Sequence, residues 1–308
     1  MPRWLERELQ ATLPGLTRRV VEVQGPHGPH ATQSMHVMER GSGVPVVMLH
    51  GNPTWSYLWR KVAARLDPTR YRVVMPDLVG LGFSSRPAAS AHTLEDHIAW
   101  FGDLLDRLED ELGRFVFVGQ DWGGPVGFGA LLSRRERVSG LVVLNTAIGP
   151  PRQGFKPNLF HRFARWPVVS DLVFRVGQFP QAFMAVAQGD RRMEPRAVRG
   201  YVTPLLDPRD NHAPLMLARM VPDGHEHPSI PALEQSQRFV QTFDGPSAIV
   251  WGQRDPVLGR MLSWVEKNLP RAEVTRTQAG HFLQEEVPDQ IAAAIERVAA
   301  KGQGAGDA

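Results

Sequence analysis

The chain has 308 residues, 42% hydrophobic and 22% charged, with a formal net charge of +3 and no cysteine. That length suits one α/β domain carrying an insertion, and the composition is that of an ordinary globular protein. The missing cysteine excludes a thiol nucleophile, disulfides and thiolate metal sites, and the basic residues, nearly all arginine, form no run that would track a nucleic acid.

Met1 to Gln10 mixes charge with Trp4 and Leu5 and has no apolar core of the signal-peptide kind. No apolar run reaches the length of a membrane span. A cytoplasmic location is therefore the expectation. Val20 to Val23 and Met35 to Glu39 read as two opening antiparallel strands. Val46 to Leu49 is a short buried strand, followed by a helix over Tyr57 to Leu66. Arg72 to Met75 is a strand stopped by Pro76. Leu94 to Leu108 has apolar residues at helical spacing, with Thr93 as its N-cap. Strands follow at Phe115 to Val118 and Leu141 to Leu144, with a helix over Gly124 to Leu132 between them. Late in the chain come a helix near Leu233 to Phe243, a strand over Ala248 to Trp251 and a helix over Met261 to Leu269. A strand over Glu273 to Thr277 and a closing helix over Pro288 to Ala300 complete the chain. Strand–helix alternation with continuously apolar strands predicts a mostly parallel sheet covered on both faces.

The stretch 148–227 breaks this rhythm. It has no convincing strand, only Pro and Gly turns between apolar helical pieces at Phe160 to Phe163, Leu172 to Val176, Phe179 to Ala187 and Leu215 to Met220. We read it as a helical cap inserted into a main domain formed by 1–147 and 228–308.

Three motifs carry chemistry. Gly119-Gln120-Asp121-Trp122-Gly123-Gly124 lies between a strand and a helix, with the Gly-x-nucleophile-x-Gly pattern of a nucleophile elbow. Small flanking residues let the chain turn sharply and lift one side chain to a helix N-terminus, where backbone N–H groups can bind an anion. The lifted residue is Asp121. An N-cap aspartate would not need Gly119, Gly123 and Gly124 around it. His50-Gly51-Asn52-Pro53 follows a buried strand, where this architecture supplies a second oxyanion donor through the N–H after Gly51; His50 itself reads as structural. Asp255 and His281 follow two late strands, so the order is nucleophile, acid, histidine. Among eleven histidines, His281 is singled out only by its position in Gly280-His281-Phe282 before the last helix. Asp255 is also placed to cap a helix beginning near Pro256.

With these residues the chain resembles the haloalkane dehalogenases of the α/β-hydrolase superfamily over nearly its whole length. The likeness rests on His50-Gly51-Asn52-Pro53-Thr54-Trp55, on Pro76 to Ser84 (PDLVGLGFS), on Gln120 to Gly124, on Asp255 and on Gly280-His281-Phe282. It implies an eight-stranded α/β-hydrolase fold. It also implies that the Trp122 indole and the Asn52 amide hold a halide. Asn145, at the end of the sixth strand, cannot orient a histidine, so Asp255 takes that role, as in the family's third subfamily. Relatives of that subfamily include β-lactone decarboxylases of bacterial olefin synthesis, which share these motifs.

The expected reaction is attack by Asp121 on carbon to give an alkyl-enzyme ester, then hydrolysis by a water that His281 deprotonates, with Asp255 orienting the imidazole. No cofactor is called for. The expected partners are a small apolar substrate (a haloalkane or a lactone) and a halide ion, with a homo-oligomer or a biosynthetic complex as the assembly. Phe155, Phe160, Phe163, Phe174, Phe179, Phe183, Met184 and Phe282 are candidates for an apolar pocket. His225-Glu226-His227 lacks a third metal ligand, and no metal is expected. An epoxide hydrolase would want two cap tyrosines, whereas only Tyr201 of Tyr57, Tyr71 and Tyr201 lies in the cap. A fluoroacetate-type enzyme would want arginines beside the nucleophile, and a carboxylesterase a serine in its place.

Overall fold

The chain opens with a helix that the sequence pattern does not announce. In α1 (Arg3–Thr12), Leu5 and Leu9 stand four residues apart on one face and are buried, as is Leu13 just beyond. So short an amphipathic helix is stable only because a packed domain receives that face. The computed structural model describes residues 1–26, 31–152, 163–166, 168–177, 184, 187–189, 192–208 and 211–304.

Eight strands form one sheet: β1 (Thr17–Gln24), β2 (Thr32–Arg40), β3 (Val44–Leu49), β4 (Tyr71–Pro76), β5 (Phe115–Gln120), β6 (Val138–Leu144), β7 (Ser247–Gly252) and β8 (Glu273–Thr277). Their order is β1-β2-β4-β3-β5-β6-β7-β8. β1 and β2 are antiparallel to each other, and β2 is antiparallel to β4. From β4 through β8 every pairing is parallel. This is the eight-stranded α/β-hydrolase fold.

Successive residues of a strand face opposite sides, so the continuously apolar strands feed two cores. Val47, Leu49, Phe117, Val143 and Ile249 pack on one side against α2 (Leu94–Arg107), α3 (Gly123–Leu131), α6 (Ile230–Thr242) and α7 (Leu262–Asn268). Val46, Met48, Val118, Val142 and Val250 pack on the other against α1 and α8 (Pro288–Gly304). Thr93 caps α2, its hydroxyl accepting from Asp96 N at 3.1 Å. Residues 57–66 do not form the single helix expected of them. A 3₁₀ turn over Ser56–Trp59 runs into one α turn, Arg60–Ala63. Trp55, Tyr57 and Trp59 are all buried there, and packing three bulky rings overrides helix propensity.

Among the described residues between β6 and β7 there is no strand. They include α4 (Pro195–Val202), α5 (Ala213–Arg219) and a wider, π-type turn over Leu172–Val176. Ala164, Phe174, Leu215 and Ala218 make a small core of their own, with Phe163, Val173 and Met216 against it. Hydrogen bonds that tie this layer to the sheet domain include Trp55 Nε1 to Gly200 O (3.1 Å), Tyr201 OH to Glu285 Oε1 (2.6 Å), Arg86 to Pro204 O (2.7 Å) and Asn52 Nδ2 to Pro214 O (2.9 Å). Among the described residues no helix is long and apolar enough to cross a membrane.

Parallel strands all end on one edge of the sheet. The loops after β3, β5, β6, β7 and β8 therefore converge at that edge, where ligands bind in open α/β sheets.

Candidate active site

Asp121 follows β5 directly and has φ 50°. This left-handed conformation is costly for a side chain other than glycine, and it turns the carboxylate out at the head of α3. The loop around it supplies the compensation. Asp121 N donates to Asn145 O (3.0 Å), while Asp121 O accepts from Gly124 N (3.1 Å) and Thr146 Oγ1 (2.6 Å). Glycine is required on both sides of the carboxylate. A Cβ at Gly123 would collide with the Leu49 carbonyl, and one at Gly51 with the Asp121 carboxylate itself.

The two carboxylate oxygens have different surroundings. Asn52 N donates to Oδ1 at 2.7 Å, and the N–H of Trp122 also hydrogen-bonds the carboxylate. Oδ2 lies 3.6 Å from Nε2 of His281. The opposite ring nitrogen, Nδ1, is 2.8 Å from Asp255 Oδ2. Asp255 divides its work: Oδ1 accepts from Val257 N (2.7 Å) and Leu258 N (3.1 Å), capping the turn after β7, while Oδ2 faces the histidine. An acid, an imidazole and a second carboxylate thus stand in line, with the Asn52 N–H on the oxygen of the first that faces away from the histidine.

Burial shifts these groups, and their neighbours decide the outcome. It pushes the Asp121 carboxyl above its ordinary value, while His281 and the N–H groups of Trp122 and Asn52 pull the other way. Burial would also lower His281, but the carboxylates of Asp255 and Asp121 outweigh it and hold the imidazole at about 9. Asp255 is held below its ordinary value: burial acts to raise it, and His281, the Asn145 amide and the Val257 N–H overcome that effect.

The indole N–H of Trp122 has no hydrogen-bond partner among the described residues. The Asn52 side chain spends one N–H on Pro214 O of α5, so this amide spans from the loop after β3 to the helical layer. His50 is wholly structural. Its Nδ1 bonds Gly51 O at 2.9 Å and its Nε2 accepts from Leu78 N at 2.9 Å. Buried Asp77 clamps the same region, accepting from Ser56 N (2.7 Å), Phe83 N (2.8 Å) and His36 Nδ1 (2.8 Å).

The apolar candidates separate. Phe174 is buried in the small core of the helical layer and Phe163 packs against it, so these two rings hold that layer together. Met184 joins the core on the α1/α8 side. Phe282 is buried edge-on to the His281 ring, with centroids 4.8 Å apart. Phe155, Phe160, Phe179 and Phe183 lie outside the described residues. Both ring nitrogens of His227 are engaged, with Arg219 O and Ser229 N, and no metal-holding cluster occurs among the described residues.

Three contributors escape the sequence reading. Asn145 donates from Nδ2 to Asp255 Oδ2 (2.7 Å) and Gly252 O (2.9 Å), and accepts from Gly252 N (2.7 Å). The available signal is an amide at the end of β6, which cannot orient a histidine directly but does orient the acid that does. Gln120, beside the nucleophile, places Nε2 3.2 Å from His281 O and 3.4 Å from His281 Nε2. Glu286 accepts from Gly280 N (2.8 Å) and Gly189 N (2.9 Å), sewing the histidine loop to the helical layer. A second glutamate in Glu285-Glu286 offers no pattern by which to find it.

The family model described as alpha/beta hydrolase fold matches residues 44–288. The chain is similar to a haloalkane dehalogenase of Mycobacterium marinum, 32% identical over 285 residues, covering 89% of this chain and 91% of the relative. It is similar to the same degree to a cis-3-alkyl-4-alkyloxetan-2-one decarboxylase of Xanthomonas campestris, 32% identical over 285 residues, covering 85% and 91%. Among solved structures, the haloalkane dehalogenase DatA from Agrobacterium tumefaciens superposes with a TM-score of 0.81 at 25% identity, covering 95% of this chain and 99% of that one.

Proposed function

The chain belongs to the haloalkane dehalogenase family of the α/β-hydrolase fold, and from that membership we propose that it is a hydrolase converting a 1-haloalkane and water to a primary alcohol and halide through an ester on Asp121. The observation that carries this reading is the asymmetry of the Asp121 carboxylate, with one oxygen on the Asn52 N–H and the other toward His281.

In the first step Oδ2 attacks carbon as the carbon–halogen bond breaks, and the bonding pair leaves with the halide. No proton is needed, but an anion released in a dry site needs donors. The unengaged Trp122 indole N–H and the remaining amide N–H of Asn52 are those donors. In the second step water gives a proton to His281 Nε2 and its oxygen attacks Asp121 Cγ. The oxyanion forms at Oδ1, already seated on the N–H of Asn52, with the Trp122 N–H at the same carboxylate as the second donor. Collapse breaks the Cγ–Oδ2 bond, the alcohol leaves with Oδ2, the imidazolium returns a proton to it, and Asp121, left as the carboxylic acid, releases the water's second proton to solvent. Alkylation itself prepares the base. Esterified Asp121 no longer carries charge, so His281 loses one of the two carboxylates that hold its pKa up and becomes readier to exist as the neutral imidazole. The stretch 148–227 serves as the cap that closes the apolar site.

The equally similar oxetanone decarboxylase supports a second reading. There the same carboxylate opens a β-lactone, and the leaving carboxylate takes the place of halide on the same donors. The epoxide reading gains no support, since the buried Tyr201 hydroxyl donates to Glu285 and that of Tyr57 to Glu8.

Two measurements test the proposal. Incubating His281→Phe with a 1-bromoalkane should leave an alkyl adduct on Asp121, read by peptide mass; no adduct alongside continued turnover would remove His281 and the ester from the mechanism. Halide release from bromoalkanes compared with CO₂ release from a long-chain β-lactone decides between substrates. A much faster lactone reaction would make dehalogenation the side activity.

A further inference from the structure

The Gln120 side chain is buried at the end of β5, and it is not explained by packing alone. Its Nε2 sits between two atoms of one residue: the carbonyl oxygen of His281 (3.2 Å) and the ring nitrogen Nε2 of His281 (3.4 Å). The carbonyl can only accept, so it fixes the amide with nitrogen toward His281 whatever the protonation of the ring. Nε2 of the ring therefore always meets an N–H donor. The other end of the amide gains nothing from this placement, because Gln120 Oε1 is buried with no hydrogen-bond partner among the described residues. A buried acceptor left unpaired is rare in folded proteins and calls for an explanation.

We propose that Gln120 is a positioning residue for the hydrolytic half-reaction: its amide holds Nε2 of His281 as the unprotonated, proton-accepting nitrogen and keeps the ring proton on Nδ1, toward Asp255. This rests on the alkyl-ester reading above. The physical content is a balance of opposed neighbours. Asp121 on the elbow and Asp255 after β7 both favour the imidazolium. Glu286, on the turn after the histidine, accepts from Gly280 N and anchors the histidine loop. Around His281 in the described site, the Gln120 amide is the donor set against these carboxylates. An N–H aimed at Nε2 stabilises the lone-pair form and repels the protonated one, so it widens the pH range in which a neutral base meets the ester. The Phe282 ring, edge-on to the imidazole, keeps the ring from swinging away.

The test separates the two half-reactions in the full-length enzyme with a 1-bromoalkane. Rapid-quench mass spectrometry follows formation and decay of the Asp121 ester from about pH 5 to about pH 10, a range that brackets the histidine titration. Gln120→Met removes the donor at similar length. Gln120→Glu keeps the shape and turns an acceptor toward Nε2. Both variants should still form the ester. Ester decay at neutral pH should fall at least about tenfold in Gln120→Glu and less in Gln120→Met, with the midpoint of the decay profile displaced to higher pH in the same order. A decay profile with its wild-type midpoint in both variants overturns the role given to Gln120, even if rates fall uniformly, since uniform loss is what a merely structural residue produces. Should Gln120→Met fail to fold, the isosteric Gln120→Glu profile decides alone. Absence of any ester in the wild-type enzyme would instead sink the underlying reading, so the two failures are distinguishable.

Discussion

Trp122 lends the site two donors that mutation can separate. Its backbone N–H binds the Asp121 carboxylate, while its indole N–H is unengaged among the described residues. Trp122→Phe deletes only the second and leaves a smaller ring in a position that is 8% exposed. A hydrogen bond to a charged group contributes about 1.5–3 kcal/mol. Charge on the departing halide is greatest after the bond begins to break, so most of that energy belongs to the transition state. Its loss should slow ester formation by about ten- to a hundredfold. Ester hydrolysis should change by no more than about twofold, because the oxyanion donors and His281 are untouched. Rapid-quench measurement of halide release and of ester decay, with a bromoalkane under single-turnover conditions, reads the two steps separately. Ester formation at the wild-type rate would refute the assignment of the indole to halide, and an equal fall in both steps would point to a general disturbance of the site.

Two further outcomes follow from the same geometry. Asn145→Leu removes a charge-assisted bond to Asp255 and leaves the buried Gly252 N–H and C=O without their side-chain partner; it should cost about 2–4 kcal/mol of unfolding free energy, measurable by urea denaturation, and a loss below about 0.5 kcal/mol would show that water replaces the amide freely. His281 is raised from 6.5 to about 9 in the folded chain, so the stability its charge confers is fully present below pH 6.5 and lost as pH rises through about 9. The Tm advantage of wild type over His281→Phe should therefore shrink across that window, and an advantage that grew with pH would contradict the sign.

Much of the architecture is legible in the chain because strong periodicity survives tertiary context. The apolar runs of β3 to β7 and the amphipathic stripe of α2 lie where the sequence pattern puts them. Residues 57–66 depart from it because ring packing, not propensity, shapes them, and α1 is easily overlooked because two leucines among charges give too short a pattern. The elbow is readable from local steric need, since a sharp turn with glycine on either side is a property of contiguous residues. Asp255 and His281 are readable only by their order along the chain.

Local sequence, then, determined which residue types were available: an acid in a tight turn, a late acid, a late imidazole and an indole beside the nucleophile. Which oxygen of Asp121 meets donors and which meets His281, and how Gln120, Asn145 and Glu286 brace that histidine, was decided by the fold. These contacts join residues 26 to 161 positions apart, the bond from Gly189 to Glu286 spanning 97. Hydrogen-bond geometry falls off within tenths of an ångström, and no periodicity in a one-dimensional chain encodes a distance of that kind.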